Sequence, residues 1–528
     1  MFNVKKLLAL TLTAGMCFGS VASVFAEETT EAATEAVSEA AEAAEKAANT
    51  LVYGAMDGKF SPFFYTAVPD EDVVRMLFPF LLEGDREGAI ILNGIEGETR
   101  EYNGTDYTYY GIADCEIVEN EDGTVDYNIT MRDDLVWSDG EPMTIDDAIF
   151  SLYVYCDPTY DGNTTMFALP IEGMTEYRSG MESLFSLLTA AGEDNTDFTY
   201  WDEATQTAFW ADLNQAGEAF AQSIVDYVIA AGYNAEGDSV AACAANWGYT
   251  LDEGATTADF FKAMVEAYEG DYLTMSDTEK ADSTLQDLME DYDAYSIGVE
   301  TGESAPSISG IKKTGDYSMT ITTTTVDATA IYQLSAMIAP LHYYGDKEAF
   351  DVDNNNFGFP KGDLSGVKSH TTQPLGAGPY TFESYENGVA TVKANPLYYK
   401  GEPKIEYINF QFVQEADKAS GVGTLDIASP SFSLDTIDEM TALNGGSEDF
   451  DGDVITIKTV ANLGYGYIGI NAKNVCVGGE PGSEASKNLR KGIATVLSVY
   501  RDVAMDSYYG EWANVINYPI SDTSWAAP

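Results

Sequence analysis

Apolar and polar positions alternate with a period of two in three stretches bounded by turn residues. The apolar sets are Val125, Tyr127, Ile129 and Met131, then Tyr317, Met319 and Ile321, then Ile408, Phe410 and Phe412. Each pattern predicts a strand with one buried face. Between them the period lengthens to that of a helix. Thr144, with Asp147 three residues on, is a capping-box start for a helix through IDDAIFSLYVY. EAFAQSIVDYVIAAG and ATTADFFKAMVEAYEG read as amphipathic helices closed by glycine. Such segments crowd residues 174–300, which predicts a helical insertion in an otherwise mixed α/β chain. No internal repeat is evident.

The stretch GYGYIGIN, residues 464–471, spells the G-x-G-x-x-G of dinucleotide-binding loops. That loop needs a helix opening at its third glycine. Here the turn-rich GGEPGS follows shortly after, so the better expectation is a strand. Tyr465, Tyr467, Gly469 and Asn471 then share one face, and Gly464, Gly466, Ile468 and Ile470 the other. Glycines at such positions let a ligand or a second backbone come close.

The amino terminus changes the setting. Lys5 and Lys6 precede an apolar stretch, and Val24-Phe25-Ala26 fits a small-residue cleavage site. Residues 1–26 are therefore expected to be a secretory signal peptide, and the chain is expected outside the cytoplasm. Cys17 keeps lipid anchoring open, although Met16 stands where such signals carry Gly or Ala. Residues 27–50 are nearly all Ala, Glu and Thr and offer no apolar stripe, which predicts a spacer. No later stretch is long and apolar enough to span a bilayer.

The net charge is −61 over 528 residues. Such acidity argues against nucleic acid and anionic membranes as partners. It leaves a cationic cargo open beside the simpler reading of a solubilising coat. Beyond the leader the cysteines are Cys115, Cys156, Cys243 and Cys476, with no C-x-x-C, so a zinc site is not expected. One or two disulfides are permitted in this compartment, with pairing undetermined. There are two histidines, His342 and His370, in unlike contexts. A histidine-based metal site or catalytic triad is hard to build from them. No zincin, nucleophile-elbow or Walker pattern occurs. DVDNNNFG, from Asp351, lacks the glycine and closing glutamate of a calcium loop. The N-x-S/T sites at Asn103, Asn128 and Asn163 carry little weight behind a bacterial-looking leader.

Several stretches resemble one family in order. LVWSDGEPMTIDDAIFSL (135–152) resembles the W-S-D-G-x-P segment of extracellular solute-binding proteins of the oligopeptide, dipeptide and nickel class, family 5. GAGPYTFESYENGVATVKANPLYYKGEPKIEYINFQFV (376–413) is similar to its G-T-G-P-Y … N-P-x-Y-W-x-G segment. TLDIASPS (424–431) resembles its G-E-I-D-I step, GYGYIGIN its Y-Y-x-x-F-N strand, and NLRKGIATVLSVYRDVAMDSYYG (488–510) its V-R-x-A-I helix. The likeness spans about 51–170 and 305–528. Ile470 departs where an aromatic is usual, and Val499-Tyr500 where the family favours I-D. The family normally runs on well past this helix, so the chain is expected to be a fragment or a truncated product.

The resemblance implies an α/β clamshell of periplasmic-binding-protein type II, in the peptide-receptor class with an extra domain. A helical insertion and an incomplete second lobe are expected with it. The implied division is lobe I at 51–75 and 301–455, a small α/β domain at 76–173, the insertion at 174–300 and the start of the second lobe at 456–528. It implies a non-enzymatic, extracytoplasmic substrate-binding component of an ABC importer, handing oligopeptides to a membrane permease, with no cofactor and no metal. The ligand-contact candidates it implies are Thr66, Ala67 and Val68 in SPFFYTAVPDEDV, Met166 and Phe167, and Tyr465, Tyr467 and Asn471. Trp137, Gly376, Gly378 and Pro379 are expected to serve packing and backbone geometry instead. The alternatives are the same architecture binding oligosaccharides or a metal chelate, a secreted hydrolase using paired carboxylates, and a sensor or adhesin whose insertion binds a partner.

Overall fold

The computed structural model describes residues 56–528, apart from 103, 282, 412–425, 429, 431–432, 447–449, 451, 460–463 and 523–526. The leader, Cys17, the 27–50 spacer, Asn103, Phe412 and part of TLDIASPS lie outside the described residues.

The alternating stretches pair as their patterns require. Strands β3 (Ala113–Glu119) and β4 (Val125–Met131) are joined in a four-stranded antiparallel sheet by β7 (Ile311–Gly315) and β8 (Ser318–Thr323), in the order β3-β4-β8-β7. Tyr127 faces Ile321 and Ile129 faces Met319 across the β4–β8 pair. All four of these side chains are buried, so the register puts every apolar position on the core face. A second antiparallel sheet runs β11-β10-β9 through Tyr407–Gln411, Val389–Ala394 and Tyr380–Glu386. A separate hairpin pairs β1 (Glu98–Tyr102) with β2 (Thr105–Tyr109).

Helix α1 (Val68–Leu77) buries Val73, Val74 and Leu77 in the main core. Helix α2 (Ile145–Cys156) is buried along nearly its whole length, as its unbroken apolar run requires. Its capping box forms as expected: Thr144 Oγ1 accepts from the Asp146 amide, and the Thr144 amide donates to Asp147 at 2.8 Å. Asp147 also accepts from the Leu341 amide at 2.9 Å, so one carboxylate joins two distant segments.

The W-S-D-G and G-A-G-P-Y motifs lock together through the main chain. Trp137 is fully buried, and its amide donates to Glu141 O to close the turn. The Ser138 amide donates to Gly376 O at 3.0 Å, and the Gly378 amide donates to Leu77 O at 2.7 Å. A Cβ at Gly376 would lie 2.0 Å from Leu77 O, and one at Gly378 2.4 Å from Met76 O. Buried Asn395 completes the knot by donating to Gly378 O and, through its amide, to Pro379 O, each at 2.9 Å. The sequence-based expectation of a structural role for these positions agrees with this geometry.

Residues between β5 (Met181–Ser183) and β6 (Gly298–Glu300) are helical and carry their own core. They include α3 (Leu184–Ala191), α4 (Glu203–Ala230), α5 (Val240–Asn246), α6 (Thr257–Ala267) and α7 (Tyr272–Glu279). β5 and β6 pair antiparallel, so chain enters and leaves this body side by side. Gly232 and Gly270, past the ends of α4 and α6, take positive φ and stop those helices.

One expectation fails. GYGYIGIN forms no strand ladder in the structure. A strand needs a hydrogen-bonded neighbour and one covered face. Here Tyr467 is 84% exposed and Ile468, on the opposite face, 68% exposed, so neither face is covered. Helix α8 (Leu434–Leu443) has no fully buried residue. Helix α9 (Glu484–Tyr509) forms where expected, capped by Ser483, yet Val496, Val499, Tyr500 and Val503 are exposed.

Gly376→Ala tests the backbone knot. The added methyl meets a main-chain oxygen that cannot step aside, so unfolding free energy falls by about 1–3 kcal/mol. Urea denaturation of the two proteins measures it, and an unchanged midpoint contradicts the packing described.

Candidate functional site

The segment preceding α1 is fixed from several sides. Phe60 and Phe63 are fully buried, with Phe60 edge-on to Tyr385 at 5.2 Å and Phe63 against Tyr155 at 4.9 Å. The segment's carbonyls are claimed by side chains from the chain around 155–163. Tyr160 Oη donates to Phe63 O at 2.8 Å, Tyr155 Oη to Pro62 O at 3.3 Å, and Asn163 Nδ2 to Tyr65 O at 2.9 Å. Asp70, fully buried in the first turn of α1, accepts from the Asp57 and Gly58 amides at 2.8 and 2.9 Å. Asp57 in turn accepts from Thr66 Oγ1 at 2.9 Å.

The chain emerges from this anchorage at Thr66, Ala67 and Val68. Thr66 and Val68 are exposed, and Ala67 is the extended N-cap of α1 with no side-chain cap. The amides of Ala67 and Val68 have no acceptor within the protein among the described residues. Such donors at a helix N-terminus face solvent and favour an acceptor carrying negative charge. Thr66 and the extended Ala67 thus lead into the helix start at Val68, a short exposed edge on a rigid footing.

The other candidates fall in different settings. Met166 is fully buried in the main core, which corrects its reading as a contact: its side chain presents nothing to solvent. Phe167 packs against that core, with the Arg178 guanidinium 4.3 Å from its ring centre. The structure brings the 163–167 chain beside 63–65 through Asn163, a residue the sequence offered only as a glycosylation site. Tyr465 and Tyr467 are exposed, their ring centroids 6.3 Å apart. Asn471 is turned inward on its own chain, where its Oδ1 accepts from the Lys473 and Asn474 amides at 3.0 and 3.1 Å. It closes a turn.

A shallow depression of about 420 Å³ lies elsewhere, lined by Glu83, Asp85, Arg86, Tyr109, Tyr110 and Lys400 among others. None of the sequence-named candidates lines it. His342 is held by Asp139 at 2.8 Å, and His370 packs on Tyr343 with ring centroids 4.3 Å apart. No cluster of His, Cys, Asp or Glu suited to a metal occurs among the described residues. Asp351, in the calcium-like stretch, accepts from Asn354 and closes a local turn. Cys115, Cys156, Cys243 and Cys476 are free, and burial pushes the Cys115 and Cys156 thiols up to about 12. No described helix is long and apolar enough to cross a membrane.

Residues 245–528, more than half of the chain, match the family described as bacterial extracellular solute-binding proteins, family 5 (middle part). The chain belongs to that family. Among curated proteins it is similar to the oligopeptide-binding protein AppA of Bacillus subtilis (strain 168), at 24% identity over 172 residues, 32% of this chain and 28% of the relative. Among solved structures, AppA of Bacillus subtilis in complex with a nonapeptide is 13% identical with a TM-score of 0.34, covering 70% of this chain and 42% of that one. NikZ of Campylobacter jejuni in complex with Ni(L-His) is 12% identical with a TM-score of 0.33, covering 76% and 46%. The chain spans less than half the length of each of these relatives.

Asp70 gives the site a pH signature. Burial pushes its carboxyl up from the usual 3.8 to about 6, against the opposing pull of its backbone hydrogen bonds. Between those values the folded state binds more protons than the unfolded chain, so stability falls as pH rises through the window. The contribution is complete below about 4 and lost above about 6. Asp147, likewise raised to about 6 by burial, acts in the same direction. The thermal midpoint is therefore expected to drop between pH 4.5 and 7, and Asp70→Asn to shrink that drop. Equal drops in both proteins refute the assignment.

Proposed function

We propose that this chain is the cargo-binding component of an ABC importer, acting outside the cytoplasm and binding oligopeptides without chemical change. Membership of an extracellular solute-binding family supports the binding role. The oligopeptide-binding name of the AppA relative supports the cargo class. The observation that carries the reading to a place is the uncommitted edge at Thr66–Val68. An extended peptide laid along it pairs its carbonyls with those amides, as in strand addition. Backbone pairing of this kind accepts many sequences, which suits a transporter of mixed peptides. In this reading the clamshell's lobes close over the cargo, Phe167 lies at the margin, and Tyr465 and Tyr467 offer rings from the second lobe. Delivery to a membrane permease and the lobe division given above are parts of the same proposal.

Val68→Pro isolates the edge. Val68 is the first helical residue, where proline fits, and Ala67 already has the extended backbone that proline demands of its predecessor. The substitution removes one amide donor and leaves the helix intact. Peptide affinity, read by calorimetry with a mixed pentapeptide library, is expected to fall roughly three- to tenfold at unchanged thermal midpoint. Undiminished affinity removes this edge from the site. Binding of oligosaccharide or of a nickel–histidine chelate in place of peptide overturns the cargo class.

A further inference from the structure

Among the described residues, hydrogen bonds and ion pairs join the helical body between β5 and β6 to the rest of the chain at two places. One is its stem, where the Gly298 amide donates to Gly362 O and the two strands pair. The other involves residues 287–296, which run into β6, and lands on the anchored segment that leads into the candidate edge. Lys59 Nζ meets Asp287 Oδ1 at 2.6 Å across 228 residues of sequence. Beside it, Asp161 Oδ2 accepts both from Tyr292 Oη at 3.0 Å and from Lys368 Nζ at 2.8 Å. The Lys368 ammonium lies 5.4 Å from the ring centroid of Phe64 and 5.4 Å from that of Tyr292, one on each side of the junction. Lys368 also reaches Ser296 Oγ of the body at 3.5 Å.

The chemistry of this second contact differs from that of the cores. The body's apolar cluster and the main cluster are separate. What joins them at this second contact is one ion pair, one phenol hydrogen bond, one hydroxyl contact and the Lys368–Tyr292 cation–ring contact. Lys368 and Asp161 both lie outside the body; they are 14% and 24% exposed in their side chains, so the ion pair that holds the acceptor of Tyr292 Oη is less screened than one on an open surface. Lys59 and Asp287 are more accessible and more sensitive to salt.

We propose that the helical body is a buttress for the edge at Thr66–Val68, with Lys59, Asp161, Tyr292 and Lys368 as positioning residues. The contact holds residues 59–64 in one place, and these lead directly into the edge. The buttress deepens the cargo-binding reading and rests on it for its purpose, but the docking itself is measured without cargo. The contact is electrostatic, so the protein's own ionic surroundings set how firmly the edge is held.

Amide hydrogen exchange on the whole chain tests it. In the variant Lys59→Ala with Tyr292→Phe, protection of residues 59–66 and 285–297 is expected to fall together, roughly fivefold or more. Protection within α4 stays unchanged, since Phe at 292 keeps the ring that packs on Phe185. Raising sodium chloride from about 50 mM to about 1 M is expected to loosen the same two segments in the unaltered protein. Lys59→Arg, which retains the charge, is expected to behave as the unaltered protein. Loosening of 285–297 with 59–66 unmoved overturns the proposal, as does insensitivity of both segments to salt. Peptide affinity is read separately. A drop in the double variant by a similar factor supports the buttress, and unaltered affinity despite a loosened edge overturns it. If neither protein binds peptide, the cargo reading falls while the docking stands on exchange alone.

Discussion

The close approach of two backbones at the end of α1 is the constraint on which the rest of the site depends. Gly376 and Gly378 let the chain entering β9 lie directly on the last turn of the helix, with the Gly378 amide bonded to Leu77 O. The helix is thereby fixed at its C-terminal end by main chain, and at its first turn by the buried Asp70 carboxylate. An element held at both ends carries its N-terminus as a fixed point. A hydrogen-bonding edge set there gains geometric precision that a free loop lacks. Asn395, Ser138 and Trp137 belong to the same arrangement, since each secures the segment that secures the helix.

Much of this was legible in the sequence because it is local. Alternation at 125–131 and 317–321 identified strands whose buried faces are as expected, and the Thr144–Asp147 pair marked a helix start that forms with both of its hydrogen bonds. The G-A-G-P-Y and W-S-D-G stretches read correctly as backbone devices. The second bond of Asp147, to the Leu341 amide, was not legible, because nothing in the sequence ties position 147 to position 341. Asn163 is a similar case: its role at Tyr65 O depends on a fold that brings two distant loops together. Met166 shows a further limit. A methionine that lines a cleft and one that fills a core have the same chemistry, and only packing separates them.

The stretch at 464–471 misled for the complementary reason. Alternation reports what a segment can become once a neighbour pairs with it and covers one side. In the structure the stretch forms no ladder, and Tyr467 on one face and Ile468 on the other are exposed. Helix α9 has enough internal hydrogen bonding to form regardless of cover, so it stands as expected with its apolar side outward. The contrast follows from where the two structures satisfy their backbones, within one segment or between two.

The paired stem of the helical body bears on how the chain folds. Strands β4 and β8 must find each other across an intervening stretch that contains the whole body. The search cost grows with the length of the open loop. A body with its own core and its two ends side by side can form first and act thereafter as a short bridge. The loop that remains to be closed is then only the chain outside it. The order of assembly that this favours runs from the helical body outward to the sheet, so that the segment most remote from the β4–β8 pairing is the first to acquire structure.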